Sequence, residues 1–207
     1  IMRFVDSLLE DYADEWVTKA MFHYRWHYAR DIEKAGDILP LQYTGICTPE
    51  AAVSLAKIQF TQRQTGRLGI VGSNPTTAPL IEAAYVRLLG LLDLHLQQHP
   101  FLMGARPGTA DFALYGQLTQ LAQFDPTSMD VALAVSRRVV AWVGLMEDLS
   151  GLEPTEDGWL SADAIPETLI NLLVEVGRTY VPLLLANEAA LMARTKQVDV
   201  VIDGEHW

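Results

Sequence analysis

Apolar side chains recur at helical spacing along most of the chain. Across residues 1–34, Phe4, Val5, Leu8, Leu9, Tyr12, Trp16, Ala20, His23 and His27 fall three or four positions apart, predicting one long helix ended by Gly36. Thr48-Pro49-Glu50 places a hydroxyl before a proline and an acid, the expected opening of a second helix that runs to about residue 65, before Gly66. Residues 66–75 read as loop. Their glycines recur every third position and no strand precedes them, so no dinucleotide-phosphate loop is assigned. From 78 to 98 a wide stripe of Leu80, Ile81, Ala84, Tyr85, Leu88, Leu89, Leu91, Leu92, Leu94 and Leu96 predicts a long core helix, stopped by His99-Pro100.

Further helices are expected at 109–123 and over 126–149, the latter capped by Asp125 and closed by Ser150-Gly151. Residues 152–164 carry no period. Residues 169–192 are apolar around the whole axis and call for cover on several sides, with a kink or break near Tyr180 imposed by Pro182. The end, 200–207, reads as a strand or turn cut off, and Ile1 enters helical periodicity at once, so both ends are expected to be interior positions of a longer protein. No alternating run is long enough for a sheet. The expected fold is all-α, a single helical domain over 1–207 with a core of about 1–150 and an extension of about 151–207.

The most specific local signal is Pro107-Gly108-Thr109-Ala110-Asp111. Asp111 falls on the third residue of a helix starting at Thr109, where its carboxylate can reach back to the unpaired amide hydrogens of the first turn. Gly108 is an acceptable cap, but it has no side chain to make the reciprocal bond.

Composition narrows the function classes. Half of the 207 residues are hydrophobic and 20% are charged, the balance of a globular protein with a substantial core. A formal charge of -11 opposes nucleic acid and anionic membrane surfaces. Cys47, the single cysteine, has no internal disulfide partner, and no apolar run approaching ~18 residues or leader-like segment is read, so the expected location is cytoplasmic.

Candidate chemistry concentrates in Met21-Phe22-His23-Tyr24-Arg25-Trp26-His27-Tyr28, which puts aromatic rings on every side of one helix. One face is expected to meet the core and another a cleft or partner. Ordinary core packing is the alternative for these rings. His23 and His27 are one turn apart, but no third ligand or neighbouring base accompanies them, so no metal site is assigned. Cys47 lies close to a helix start, where a thiolate would be stabilised, or it is a small buried hydrophobe. Asp11, Asp14 and Arg25 are read as members of solvated ion pairs.

Two stretches carry a family resemblance. Phe101-Leu102-Met103-Gly104 leading into the Asp111 helix, with Ala141-Trp142-Val143 about thirty residues on, resembles the C-terminal helical domain of glutathione transferases. Leu9-Glu10-Asp11-Tyr12-Ala13-Asp14-Glu15-Trp16 is similar to the first helix of that domain in extended bacterial members. The resemblance is densest over 101–146, and it departs from the family where Gly108 stands in place of the usual Ser or Thr.

The resemblance implies Gly108 and Asp111 as a structural helix cap, a homodimer, and an acceptor-binding role for the helical part. Because the first long helix borders the acceptor pocket in that family, the resemblance implies Tyr12, Trp16, Tyr24 and Tyr28 as the candidate substrate-binding residues, with a hydrogen bond from Tyr24 or Tyr28 to a leaving group as the alternative role. It implies glutathione as co-substrate of the parent protein, held and activated by a thioredoxin-like domain not recognisable in this sequence. It also offers contact with a glutathione bound in a neighbouring subunit as the alternative to solvated ion pairs for Asp11, Asp14 and Arg25. The stretch itself is therefore expected to bind no cofactor and to be inactive alone, while the parent conjugates glutathione to a small electrophile. The alternatives are a non-catalytic transferase-like interaction module and an unrelated helical bundle.

Overall fold

A computed structural model describes residues 1–207, and it is predominantly helical. The helices are α1 (Met2–Asp11), α2 (Thr18–His27), α3 (Ala29–Thr44), α4 (Glu50–Thr65), α5 (Ala78–Leu96), α6 (Thr109–Thr119), α7 (Pro126–Val135), α8 (Arg137–Met146) and α9 (Glu167–Ala193). A π-helical stretch, Tyr12–Val17, joins α1 to α2, and another, Gln120–Phe124, follows α6. The only strands are β1 (Val201–Ile202) and β2 (Glu205–His206), paired antiparallel.

Helix α6 runs through the centre. Ala110, Leu114 and Leu118 are buried on it, and their cluster takes in Val5 and Leu9 of α1, Leu88 to Leu92 of α5, and Val139 and Val143 of α8. Of the predicted stripe of α5, Ile81, Ala84, Tyr85, Leu88, Leu89 and Leu92 are buried, whereas Leu80, Leu91 and Leu96 are only partly covered and Leu94 is exposed. Trp142 donates its indole N–H to the Pro100 carbonyl at 2.9 Å, tying α8 to the segment that leads into α6.

Several boundaries differ from the sequence expectation. The first helix does not continue to residue 34: Tyr28 adopts extended backbone, and α3 starts anew with the Tyr28 carbonyl accepting from Asp31 and Ile32. Gly36 does not end a helix either. It lies buried inside α3 because α4 passes so close that a Cβ there would sit 2.7 Å from Thr61 Cγ2. Thr48 does not cap α4, since its hydroxyl bonds back to the Thr44 carbonyl at 2.6 Å. The 126–149 region is broken at Ser136, whose hydroxyl accepts from Val139 N at 3.0 Å and so caps α8.

Helix α9 continues through Pro182 without a break. It is covered on one side only. Leu169, Leu172, Val176 and Tyr180 are buried, whereas Val174 (63%), Leu185 (60%) and Met192 (80%) stay exposed. By length and composition this helix is apolar enough to cross a membrane, although Glu175 and Arg178 interrupt its apolar run. In the fold it lies along α5, and its buried Glu175 accepts two bonds from Arg87, at 2.8 and 2.9 Å.

The tail, expected as a strand or turn, forms a short antiparallel hairpin. Asp203 and Gly204 both take positive φ, the two-residue turn that matches strand twist, and Trp207 returns to stack on Trp16 at 5.3 Å.

Candidate functional site

Asp111 is fully buried at the start of α6. Its Oδ2 accepts from Gly108 N at 2.9 Å, and its Oδ1 accepts from Leu102 N, also at 2.9 Å. The carboxylate thus fixes both the first turn and the approach to it. Burial pushes its pKa up to about 6, partly opposed by the two amide bonds, and the Asp6 carboxylate nearby adds to the rise.

Gly108 makes no side-chain cap, and the vacancy has a purpose. Asp6 of α1 accepts from Ala110 N at 3.1 Å, Thr109 N at 3.2 Å and Thr109 Oγ1 at 2.9 Å. A Cβ on Gly108 would lie 2.5 Å from Asp6 Oδ1. A carboxylate from another helix therefore replaces the local hydroxyl. Gly108→Ser is expected to cost about 1–2 kcal/mol by expelling Asp6. Combined with Asp6→Ala, the same serine should recover most of that loss as a local cap, which urea midpoints of the three variants will read.

The aromatic segment presents two unlike faces. Towards the core, His23 is fully buried, with Nδ1 2.8 Å from Ser73 Oγ and Nε2 3.0 Å from Glu82 Oε1. Tyr28 donates to the same Glu82 oxygen at 2.5 Å. Burial lowers the His23 pKa against the pull of Glu82, so the ring is neutral near pH 7, its Nε2–H donating to the carboxylate and its Nδ1 accepting from Ser73. Burial raises the Glu82 carboxyl, but the bonds from Tyr28 and His23 outweigh it and hold it below the usual range. Burial, joined by the Glu82 charge, lifts the Tyr24 phenol well above its ordinary value and Tyr28 to about 12. Ser73 stands at nucleophile-to-base distance from His23, but it is 5% exposed and lines none of the larger cavities. The network organises the core around α2 and offers no nucleophile to solvent.

The opposite face of α2 meets a crevice formed with the α3–α4 hairpin. Four rings step across it: Phe22 to Trp26 at 6.3 Å, Trp26 to Phe60 at 5.6 Å, and Phe60 to Tyr43 at 5.5 Å between centroids. Two cavities, of about 380 and 510 Å³, share Tyr43, Phe60 and Gln64 as walls. This is the size range of small-molecule sites. Gln64 Oε1 is buried there without a hydrogen-bond donor. Arg25 closes the inner end, held by Asp125 and lying over Phe124 at 4.9 Å.

A larger cavity of about 660 Å³ adjoins the α6 start, but Asp6, which lines it, already takes the amide hydrogens available there. The crevice differs in its wall of four rings around Gln64 Oε1, an acceptor that no donor in the chain reaches.

Of the candidate substrate-binding residues, Tyr12, Trp16 and Tyr24 lie in the core at 2–4% exposure, and only Tyr28 reaches partly to the surface. Phe22 and Phe60 line the crevice instead, with Trp26 set into its wall at 3% exposure. Phe22 and Trp26 belong to the aromatic run singled out in the sequence, on the face opposite the tyrosines; Phe60 carried no local signal, since only the closure of the hairpin brings it near. Arg25 is not in a solvated pair but in a buried one with Asp125, at 2.9 Å. Asp11 accepts from Tyr180 at 2.6 Å, Asp14 is exposed, and Cys47 is exposed in the α3–α4 connection and not buried. His23 and His27 stack at 4.7 Å, and both nitrogens of His23 are engaged inside the protein.

The chain is thus a predominantly helical protein with an aromatic crevice beside a buried polar network. No protein-family model, curated protein or solved structure matches it.

Proposed function

We propose that the chain is the helical, acceptor-binding part of a glutathione-transferase-like protein, and that the crevice between α2, α3 and α4 receives the acceptor. The observation that carries the reading is Asp111: a buried carboxylate on the third residue of the central helix, tying that helix to the Phe101-Leu102-Met103-Gly104 approach. Around it, the Trp142 contact with Pro100 and the packing of α1 on α6 support the same arrangement. In the parent protein a glutathione thiolate would attack a small electrophile. A thioredoxin-like domain would stabilise the thiolate, while the crevice would strip water from the acceptor and orient it.

Calorimetry on residues 1–207 tests this with two ligands. A neutral aryl probe, 2-acetylnaphthalene, is expected to bind, with Phe60→Ala weakening it by about tenfold through the lost ring contact and apolar area. Glutathione is expected to give no heat, and a generic aryl halide no conjugation. Turnover by residues 1–207 alone, or an aryl probe indifferent to Phe60→Ala, would refute the reading.

A second reading, a non-catalytic interaction module that pairs with a copy of itself, is favoured by α4. Only Val53 is buried on that helix, and Leu55 and Ile58 are 56% and 53% exposed on one uncharged side. Sedimentation of wild type against Leu55→Glu separates the two: a monomeric wild type removes the support for this module.

A further inference from the structure

The crevice has a polar mouth as well as an aromatic wall. Arg63 and Arg67, on the last turn of α4 and just beyond it, line the 510 Å³ cavity together with Tyr43 and Phe60. Neither guanidinium comes within ion-pair distance of a carboxylate, although nearby cations do: Lys57 is held by Glu33 and Asp37, and Arg25 by Asp125. No acidic side chain contributes to either half of the crevice. In a chain of net charge -11, two unpaired arginines on one cavity wall are a local reversal of sign.

The count of charges matters. The C-terminal end of a helix carries roughly half a negative charge, so a single cation at the end of α4 would leave an anion weakly held. Two cations leave the mouth clearly positive. A guanidinium also matches a carboxylate in plane, with paired N–H donors, where an ammonium acts only as a point charge. The rings of Phe60 and Tyr43 line the cavity inside this mouth, and Trp26 lies beyond them against Phe60.

Resting on the acceptor-site reading above, we infer that the ligand of this crevice is an aryl carboxylate: a planar ring stacked along Phe60, with its carboxylate at Arg63 and Arg67. The ring supplies the buried area and the two arginines select the charge. Because the pair is exposed and the rest of the molecule repels anions, the selectivity fades as salt rises.

The test compares 2-naphthoate with its neutral analogue 2-acetylnaphthalene by calorimetry on residues 1–207, at low and at high salt. The naphthoate is expected to bind roughly tenfold more tightly at low salt, the scale of two exposed charge-assisted contacts, and to approach the ketone at high salt. The double variant Arg63→Gln/Arg67→Gln is expected to bind both probes alike while keeping the wild-type affinity for the ketone. That retained affinity shows that the crevice is still folded. Equal binding of the two probes by wild type, or a preference that survives the double variant, would overturn the carboxylate assignment and leave the aromatic acceptor site standing. Binding of neither probe would overturn both.

Discussion

Replacing Arg25 by alanine is expected to lower the unfolding free energy by about 3–5 kcal/mol, the cost of leaving one half of a buried ion pair behind. Asp125 is fully buried, and Arg25 meets it with Nε to Oδ1 at 2.9 Å and Nη2 to Oδ2 at 2.9 Å, with a further bond from Nη2 to Gln120 at 2.7 Å. Burial holds the Asp125 carboxyl above the usual range even though the arginine pulls it down. Without the arginine it rises further. A folded-state pKa raised above the unfolded value means that folding binds a proton, so the stability from this group is present at low pH and lost as pH rises. The Arg25→Ala deficit should therefore be greater at pH 8 than at pH 5. Adding Asp125→Asn should recover part of it, and urea unfolding followed by circular dichroism at the two pH values measures both effects.

Asp111→Ala is the second large change, with the opposite pH dependence. It leaves the amides of Leu102 and Gly108 without their acceptor, at about 1–3 kcal/mol for each buried donor. Against this, it removes a carboxylate whose pKa burial has lifted to about 6. In the wild type that carboxyl is bound to a proton in the folded state between about pH 4 and 6, so its favourable contribution is complete below about pH 4 and lost as pH passes 6. The variant lacks this contribution. A loss of about 3 kcal/mol is expected near neutrality, and a greater one at pH 5. Opposite slopes for the two variants in the same urea experiment separate an orphaned acid from a deleted one.

The contrast between these two sites explains which parts of the fold were legible in the sequence. Asp111 acts on amides three and nine residues away, so a local pattern reveals it. The stripe of α5 is similarly local, because burial on one side writes a period into the sequence. Helix starts fixed from afar leave no such mark. Asp6 caps α6 across 104 residues, and Asp31 caps α7 by accepting from Thr127 N at 2.9 Å across 96. The expected α7 cap, Asp125, is turned away to Arg25. Gly36 misleads for a related reason: a glycine that ends a helix and one that lets another helix approach look the same in one dimension.

The crevice was half legible. A run with aromatics on all sides announces two environments but not which ring faces which, so Tyr24 and Tyr28 are indistinguishable there from Phe22 and Trp26. Burial next to Glu82 and the α5 core claimed Tyr24, while Phe22 and Trp26 turned towards the α3–α4 hairpin. The missing piece was Phe60, whose role depends on a helix break at Tyr28 that has no proline or glycine to signal it.

The central claim is that a ligand enters between α2 and the α3–α4 hairpin. It is tested most directly by proton–nitrogen correlation spectra of residues 1–207 labelled at the tryptophan indoles, titrated with 2-acetylnaphthalene. The Trp26 indole, identified by Trp26→Phe, is expected to shift in step with the probe, while that of Trp16, stacked on Trp207 in the core, stays in place. A Trp26 signal that does not move while the probe binds elsewhere would contradict it.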